Sequence, residues 1–282
     1  MNGILVINKE KDYTSRDIVN IVGKQLGTKK VGHTGTLDPI ATGVLVLCIG
    51  KSLKLAEMLT TNDKEYIAKI RLGIETDTLD ITGNIIKQKE VSNITKKDII
   101  KVLNKYIGTI RQEVPKYSAI KVNGKKLYEY ARNNIPVKLP IKEVEIYNIK
   151  LISDIKDNEF YIKCHVSKGT YIRSLIRDIG NSLGTYATMI ELTRTKQGKF
   201  SIDNAYTLDD IKNNNYKITN PVDIIDLPKV IVDDDMATKI KNGRVLNKFF
   251  NHDKAFILDK KNNLLAIYQL YKDNLVKPYK MF

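Results

Sequence analysis

Gly32-His33-Thr34-Gly35-Thr36-Leu37-Asp38-Pro39-Ile40-Ala41-Thr42-Gly43-Val44-Leu45 is the stretch on which the reading of this chain turns. Its three glycines allow unusual backbone angles and close approach of a ligand. Pro39 confines Asp38 to extended geometry. The apolar run at 44–49 then reads as a strand that buries the chain. A carboxylate on a rigid loop leading into a buried strand is well placed for chemistry. Residue types alone leave a plainer reading beside it, because Asp-Pro is a common turn. A glycine loop could also cradle phosphates, yet neither Walker A nor GxGxxG spacing is present.

Working outward, residues 4–9 read as a first strand. Thr14 and Ser15 are placed to cap a helix carrying Ile18, Val19, Val22 and Leu26, with Gly27 ending it. Downstream, Tyr66, Ala68, Ile70 and Leu72 alternate with Ile67, Lys69 and Arg71, the period of a strand. Residues 95–107 predict a helix: Thr95 caps it, Ile99, Val102, Leu103 and Tyr106 follow helical spacing, and Gly108 stops it. Pro115, a hairpin-like Asn123-Gly124 and a short basic-aromatic helix around Tyr128 and Arg132 predict a protruding element at 112–140. Strands are expected at 143–153 and 159–167, across an Asp157-Asn158 turn. Ile172, Leu175, Ile176, Ile179 and Leu183 mark a further amphipathic helix. After about residue 228 the pattern changes to short β-rich pieces at 230–232, 255–258 and 264–268. The fold class is α+β, with too many hairpin signals for a pure βαβ chain. The expected division is a main domain at 1–228 and a small β domain at 229–282.

The 282 residues, 42% hydrophobic and 28% charged, describe a globular protein with a sizeable core. The longest apolar runs fall far short of the roughly 20 residues a membrane helix needs, so no membrane partner is expected. The first residues lack the apolar stretch and small-residue cleavage site of a signal peptide, so the expected location is cytoplasmic. Cys48 lies within the apolar run and Cys164 adjoins only His165. Without CxxC or HxxxH spacing, neither a metal nor a disulfide is expected. Lys and Arg number 47 against 32 Asp and Glu, a formal charge of +15. Such a field attracts polyanions, and basic groups release counterions on meeting phosphates. Lys, Asn and Ile are all abundant, so a merely solvated lysine-rich surface is the competing explanation.

The run at 32–45, with Cys48-Ile49-Gly50 behind it, resembles the signature of the TruB family of pseudouridine synthases. Further segments resemble that family in order. They are Asp63-Lys64-Glu65-Tyr66 into Arg71-Leu72-Gly73, then Thr76-Asp77-Thr78-Leu79-Asp80 with Gly83. The stretch at 112–124, running on through Tyr128-Glu129-Tyr130-Ala131-Arg132, is similar to the family's T-arm-gripping element. Gly169-Thr170-Tyr171-Ile172-Arg173-Ser174-Leu175 resembles its arginine motif, and Glu191-Leu192-Thr193-Arg194-Thr195 with Gly198 its last motif. The resemblance spans most of residues 1–200, and the tail resembles only weakly the small PUA-like domain of bacterial members. One departure is visible: the family usually opens with Lys-Pro and a glycine before Thr-Ser, whereas here Lys9-Glu10-Lys11-Asp12-Tyr13 precedes Thr14-Ser15.

The resemblance implies a pseudouridine synthase fold with a mostly antiparallel mixed sheet, flanking helices and a PUA-like tail. It implies conversion of uridine to pseudouridine at position 55 of the tRNA T loop, without cofactor, metal or guide RNA. The target base would be flipped out of the loop, at a cost of about a few kcal/mol. Asp38 would be the catalytic carboxylate, attacking C1′, attacking C6 or assisting a glycal route. Tyr66 would stack on the flipped base, and Arg173 would pair with Asp38 and keep it ionised. His33 would help hold the flipped arrangement, Leu192 would form an apolar wall, and Lys9 would keep its family role in binding. Lys116, Tyr117, Lys121, Lys125, Lys126 and Arg132 would meet phosphates and loop bases. The partner is then tRNA, through its T arm and acceptor stem, with a monomer and no protein partner expected. Taken alone, His33 and Leu192 read as structural, Tyr66 as core and Arg173 as a surface arginine. A guide-RNA-dependent synthase, a tRNA-folding chaperone and a non-catalytic basic RNA-binding protein are the alternatives.

Overall fold

The computed structural model describes residues 1–60 and 63–282. In the first half the strands are β1 (Gly3–Lys9), β2 (Val31–His33), β3 (Thr42–Ile49), β4 (Lys64–Leu72), β5 (Ile74–Thr76), β6 (Ile85–Gln88), β7 (Gly108–Glu113), β8 (Lys121–Val122) and β9 (Lys125–Lys126). Then come β10 (Ile141–Leu151), β11 (Glu159–Val166), β12 (Ala187–Gln197), β13 (Phe200–Ser201), β14 (Lys229–Ile231), β15 (Leu246–Asn247), β16 (Lys254–Leu258), β17 (Leu264–Leu270) and β18 (Leu275–Met281). The helices are α1 (Ser15–Gln25), α2 (Ala56–Thr60), α3 (Lys96–Lys105), α4 (Leu127–Arg132), α5 (Ile172–Ser182), α6 (Leu208–Lys212) and α7 (Asp234–Lys241).

The main sheet runs β1-β3-β12-β4-β11-β10-β7, with β2 attached to β3 and β13 to β12. All its pairings are antiparallel except β12 with β3. The α+β, mostly antiparallel architecture expected from the sequence is therefore present. β3 reads as a continuous apolar run because both of its faces are covered. Leu45, Leu47 and Ile49 join the large core with α1 and α5, while Val44, Val46 and Cys48 join a second cluster with Ile4, Leu59 and Phe200.

Helix α1 forms where the sequence places it. Thr14 and Asp17 cap it reciprocally: the Asp17 amide donates to Thr14 Oγ1 (3.1 Å) and the Thr14 amide to Asp17 Oδ2 (2.8 Å). Ile18 and Val22 are fully buried against the sheet, each contributing roughly 2 kcal/mol. Thr95 and Asp98 repeat the device at α3.

The turn before α1, where the chain departs from the family's opening, contains a left-handed residue, Asp12 at φ 69. Aspartate tolerates that conformation better than most side-chain-bearing residues.

Residues 229–281 supply a second sheet, ordered β14-β16-β17-β18-β15, around its own core of Ile257, Ala266, Tyr268 and Val276. It packs on the first unit through Phe256, Leu258 and Ile267 against Leu55 and Val222. Helices α2, α6 and α7 and strands β2, β5, β6, β7, β12, β13, β15 and β18 were not expected. Among the described residues no helix is long and apolar enough to cross a membrane.

Candidate active site

The loop carrying Asp38 is pinned on both sides of that residue. Before it, Ser15 at the start of α1 both receives and gives: the Leu37 amide donates to Ser15 Oγ (2.9 Å), and Ser15 Oγ donates to the Leu37 carbonyl (3.1 Å). After it, the Pro39 carbonyl accepts from the Asp12 amide (2.9 Å) and from Lys9 Nζ (3.2 Å). The Ala41 amide closes the turn on the Asp38 carbonyl at 3.0 Å. At the loop's exit Gly43 stands at φ +98, and a Cβ there would lie 2.3 Å from the Arg194 carbonyl oxygen. Only glycine allows the parallel β3–β12 contact at this point.

Asp38 borders a cleft of about 650 Å³, together with Tyr66, Ser118, Tyr171, Arg173 and Leu192. Arg173, at the first turn of α5, lies with Nε 2.9 Å from Asp38 Oδ2. The same guanidinium donates from Nη1 to the Thr78 carbonyl (2.8 Å) and from Nη2 to the Tyr117 carbonyl (2.9 Å). Asp80 Oδ2 lies 3.5 Å from Nη1. Asp80 is itself held by Thr78 and Thr82 hydroxyls and the Thr82 amide. The planar fork of arginine suits this arrangement, in which one buried cation serves two carboxylates and two carbonyls.

Burial raises the Asp38 carboxyl above its ordinary value; Arg173 and Lys9 pull it down, while Asp80 pushes it further up. The arginine partner therefore does not by itself hold the acid low, as pairing alone would suggest: burial outweighs it.

Tyr66 is 8% exposed on the inner face of β4, and burial pushes its phenol up despite a contact with Arg194. Leu192 faces the same cleft from β12, opposite Ala68 of β4. His33 ends β2, does not line the cleft, and carries an imidazole lowered by burial, then by Arg16 and Arg194. Lys9 is buried, with Nζ donating to the carbonyls of Glu10 (2.8 Å), Tyr13 (2.6 Å) and Pro39 (3.2 Å). Burial lowers that ammonium to about 8. Lys9 thus braces the Asp38 loop from behind and adds no wall to the cleft.

The insertion begins where β7 ends and returns at β10. Asn123 (φ 49) and Gly124 (φ 82) turn the β8–β9 hairpin. Lys121 and Arg132 are exposed, and the Tyr128 ring lies beneath Lys126 and Arg132. Tyr117 is half-buried and joins the site through its carbonyl.

Three contributors were not singled out from sequence. Asp80 and Arg194 lie inside recognised motifs, but only their burial, 5% and 1%, marks them. Gln112 bonds both backbone groups of Tyr171, at 2.7 and 3.0 Å, fixing the start of α5. Among the described residues no group of three His, Cys, Asp or Glu side chains is arranged to hold a metal ion.

Residues 24–172 match the N-terminal domain model of the TruB family pseudouridylate synthases, and residues 173–237 match the tRNA pseudouridylate synthase B C-terminal domain. A tRNA pseudouridine synthase B of Oceanobacillus iheyensis is 44% identical over 100% of this chain and 98% of its own length. One from Bacillus subtilis is 41% identical over 100% and 97%. Among solved structures, a chain of a Cbf5–Nop10–Gar1 complex is 25% identical, with a TM-score of 0.71 over 99% of this chain and 84% of that one. Fold, cleft and matches together define a pseudouridylate synthase. Within that class the chain belongs to the TruB family.

Proposed function

We propose that this synthase isomerises the uridine at position 55 in the T loop of tRNA, with Asp38 as the catalytic carboxylate. The bond between N1 and C1′ breaks, the base turns, and C5 bonds to C1′. The C5 proton leaves and N1 gains one, so no oxidant, reductant or energy source is consumed. The observation that carries this reading is Asp38 held against Arg173 at the wall of a cleft whose other walls are Tyr66 and Leu192. A preorganised carboxylate costs no rearrangement when charge develops at the sugar or base.

Tyr66 stacks on the flipped base and Leu192 supports its apolar side. His33 helps hold the flipped-out arrangement from behind the loop. Lys121, Arg132 and the aromatic residues of the insertion grip the T arm, and the second sheet, at 229–282, acts as a PUA-like module against the acceptor stem. The enzyme works as a monomer in the cytoplasm. Activity without guide RNA is favoured by whole-length likeness to relatives named tRNA pseudouridine synthase B.

The test is incubation with an unmodified tRNA transcript, without cofactor, metal or guide RNA, followed by mapping of pseudouridine. Modification at position 55 is expected. A folded, tRNA-binding protein that modifies nothing contradicts the reading and leaves a chaperone or guide-dependent role.

A further inference from the structure

Among the described residues, four buried side-chain atoms lack a hydrogen-bond partner: His33 Nδ1, Ser118 Oγ, Thr185 Oγ1 and Gln197 Oε1. Of these four residues only Ser118 lines the cleft. Three backbone carbonyls around it are committed. The Tyr117 carbonyl accepts from Arg173 (2.9 Å), the Ser118 carbonyl from the Tyr128 amide (3.1 Å), and the Ile120 carbonyl from the Leu127 amide (2.8 Å). Segment 117–120 is thus held in place with one hydroxyl left over, its oxygen buried in a residue that is 7% exposed. A buried hydroxyl without a partner is destabilising, so its persistence at a cleft wall asks for a ligand atom to complete it.

The surroundings narrow the ligand. Tyr171 is close enough for its phenol to feel the Ser118 hydroxyl, although no hydrogen bond of normal geometry joins them. Burial pushes that phenol up, so it stays protonated and neutral. This wall therefore offers neutral hydroxyls, while the Asp38–Arg173 pair supplies the charge. A base taken out of its stack loses the partners of its polar edge and must regain some in a dry site. Uracil presents two carbonyl oxygens, and the Ser118 Oγ–H, beside the Tyr171 phenol but in no hydrogen bond of normal geometry, can turn to donate to one of them.

We propose that Ser118 donates a hydrogen bond from Oγ to a carbonyl oxygen of the flipped uracil. Residue 118 then reads the base while its neighbour's carbonyl orients Arg173, linking recognition to the catalytic pair. This rests on the uridine-isomerising reading above.

The experiment compares the parent protein with Ser118→Ala on T-arm RNAs carrying uridine, 2-thiouridine or 4-thiouridine at the target. Sulfur is a weaker acceptor than oxygen, so it weakens the contact it replaces. Ser118→Ala is expected to melt no lower than the parent, since it deletes an unpartnered group, and to bind the RNA. Its single-turnover rate on uridine falls roughly tenfold. The thio-substitution that slows the parent leaves Ser118→Ala unaffected. Should Ser118→Ala melt lower, Ser118→Thr decides: keeping the hydroxyl, it must retain the parent's sensitivity to sulfur. Overturning results are an unchanged rate in Ser118→Ala, equal slowing of both proteins by sulfur, or loss of that sensitivity in a folded Ser118→Thr. A parent protein that forms no pseudouridine on uridine RNA overturns the functional reading and this inference with it, whereas an active parent isolates the claim about Ser118.

Discussion

The guanidinium of Arg173 touches the Asp38 carboxylate at 2.9 Å and is 7% exposed, while the Asp38 side chain keeps 35% of its surface open toward the cleft. The cation is buried behind and the anion is presented in front. That asymmetry fits a carboxylate that reacts and an arginine that aims it.

Replacing Arg173 by lysine keeps the charge but loses the fork that reaches Asp38, Thr78 and Tyr117 together. The expected result is a single-turnover rate reduced by about two orders of magnitude, the scale of losing one preorganised contact. Removing the cation altogether, as Arg173→Met, strands Asp38 and Asp80 and lowers stability by about 3–5 kcal/mol. Rapid-quench kinetics and denaturant melts check the two.

The rate should depend on acid in a defined direction. Chemistry needs Asp38 ionised, so the rate falls as pH drops through its pKa, and that limb lies above the ordinary 3.8 because burial raises it. The stability sign runs the other way. Below 3.8 both folded and unfolded chains are protonated at Asp38 and nothing is lost; as pH rises through the raised folded value, the partly desolvated charge destabilises the fold. Asp80 is one cause of the upward shift, so Asp80→Asn should move the acid limb to lower pH. A pH–rate profile of both proteins measures this.

Lys9 faces backbone carbonyls and not the cleft. Lys9→Met should therefore slow the single-turnover rate through a loosened Asp38 loop and leave the dissociation constant for tRNA within about twofold. Filter binding alongside kinetics separates the two quantities.

The exposed cations of the insertion should behave in the opposite way. Lys121→Ala and Arg132→Ala should weaken binding, and each should reduce the slope of log affinity against log salt by about 0.7–0.9 per lost phosphate contact. The rate at saturating RNA should stay near that of the parent. Titrations at several salt concentrations test this.

Local signals were legible where one physical cause dominated. The Thr14/Asp17 and Thr95/Asp98 boxes announce α1 and α3, and alternation announces β4. The central strand β12 was not legible, because its pairing with β4 shifts register at Met189/Glu191 and again at Arg194/Lys196, and because it turns the polar Arg194 and Gln197 inward, which breaks the alternating pattern. Strand β6 exposes Ile85 and Ile86 together, so it shows no period either. At the site, Asp38 stood out through its loop, but its partnership with Arg173 spans 135 positions and was available only through resemblance. The bracing of that loop by Ser15 and Lys9 is a tertiary fact that no local pattern encodes.

The most direct test of the account is tritium release from tRNA labelled at uridine C5, since forming the C5–C1′ bond expels that hydrogen. The parent protein should release one tritium per target site without cofactor or guide RNA. Asp38→Asn, nearly identical in shape, should bind the same tRNA and release none above background. Release by Asp38→Asn at the parent's rate would contradict Asp38 as the catalytic carboxylate.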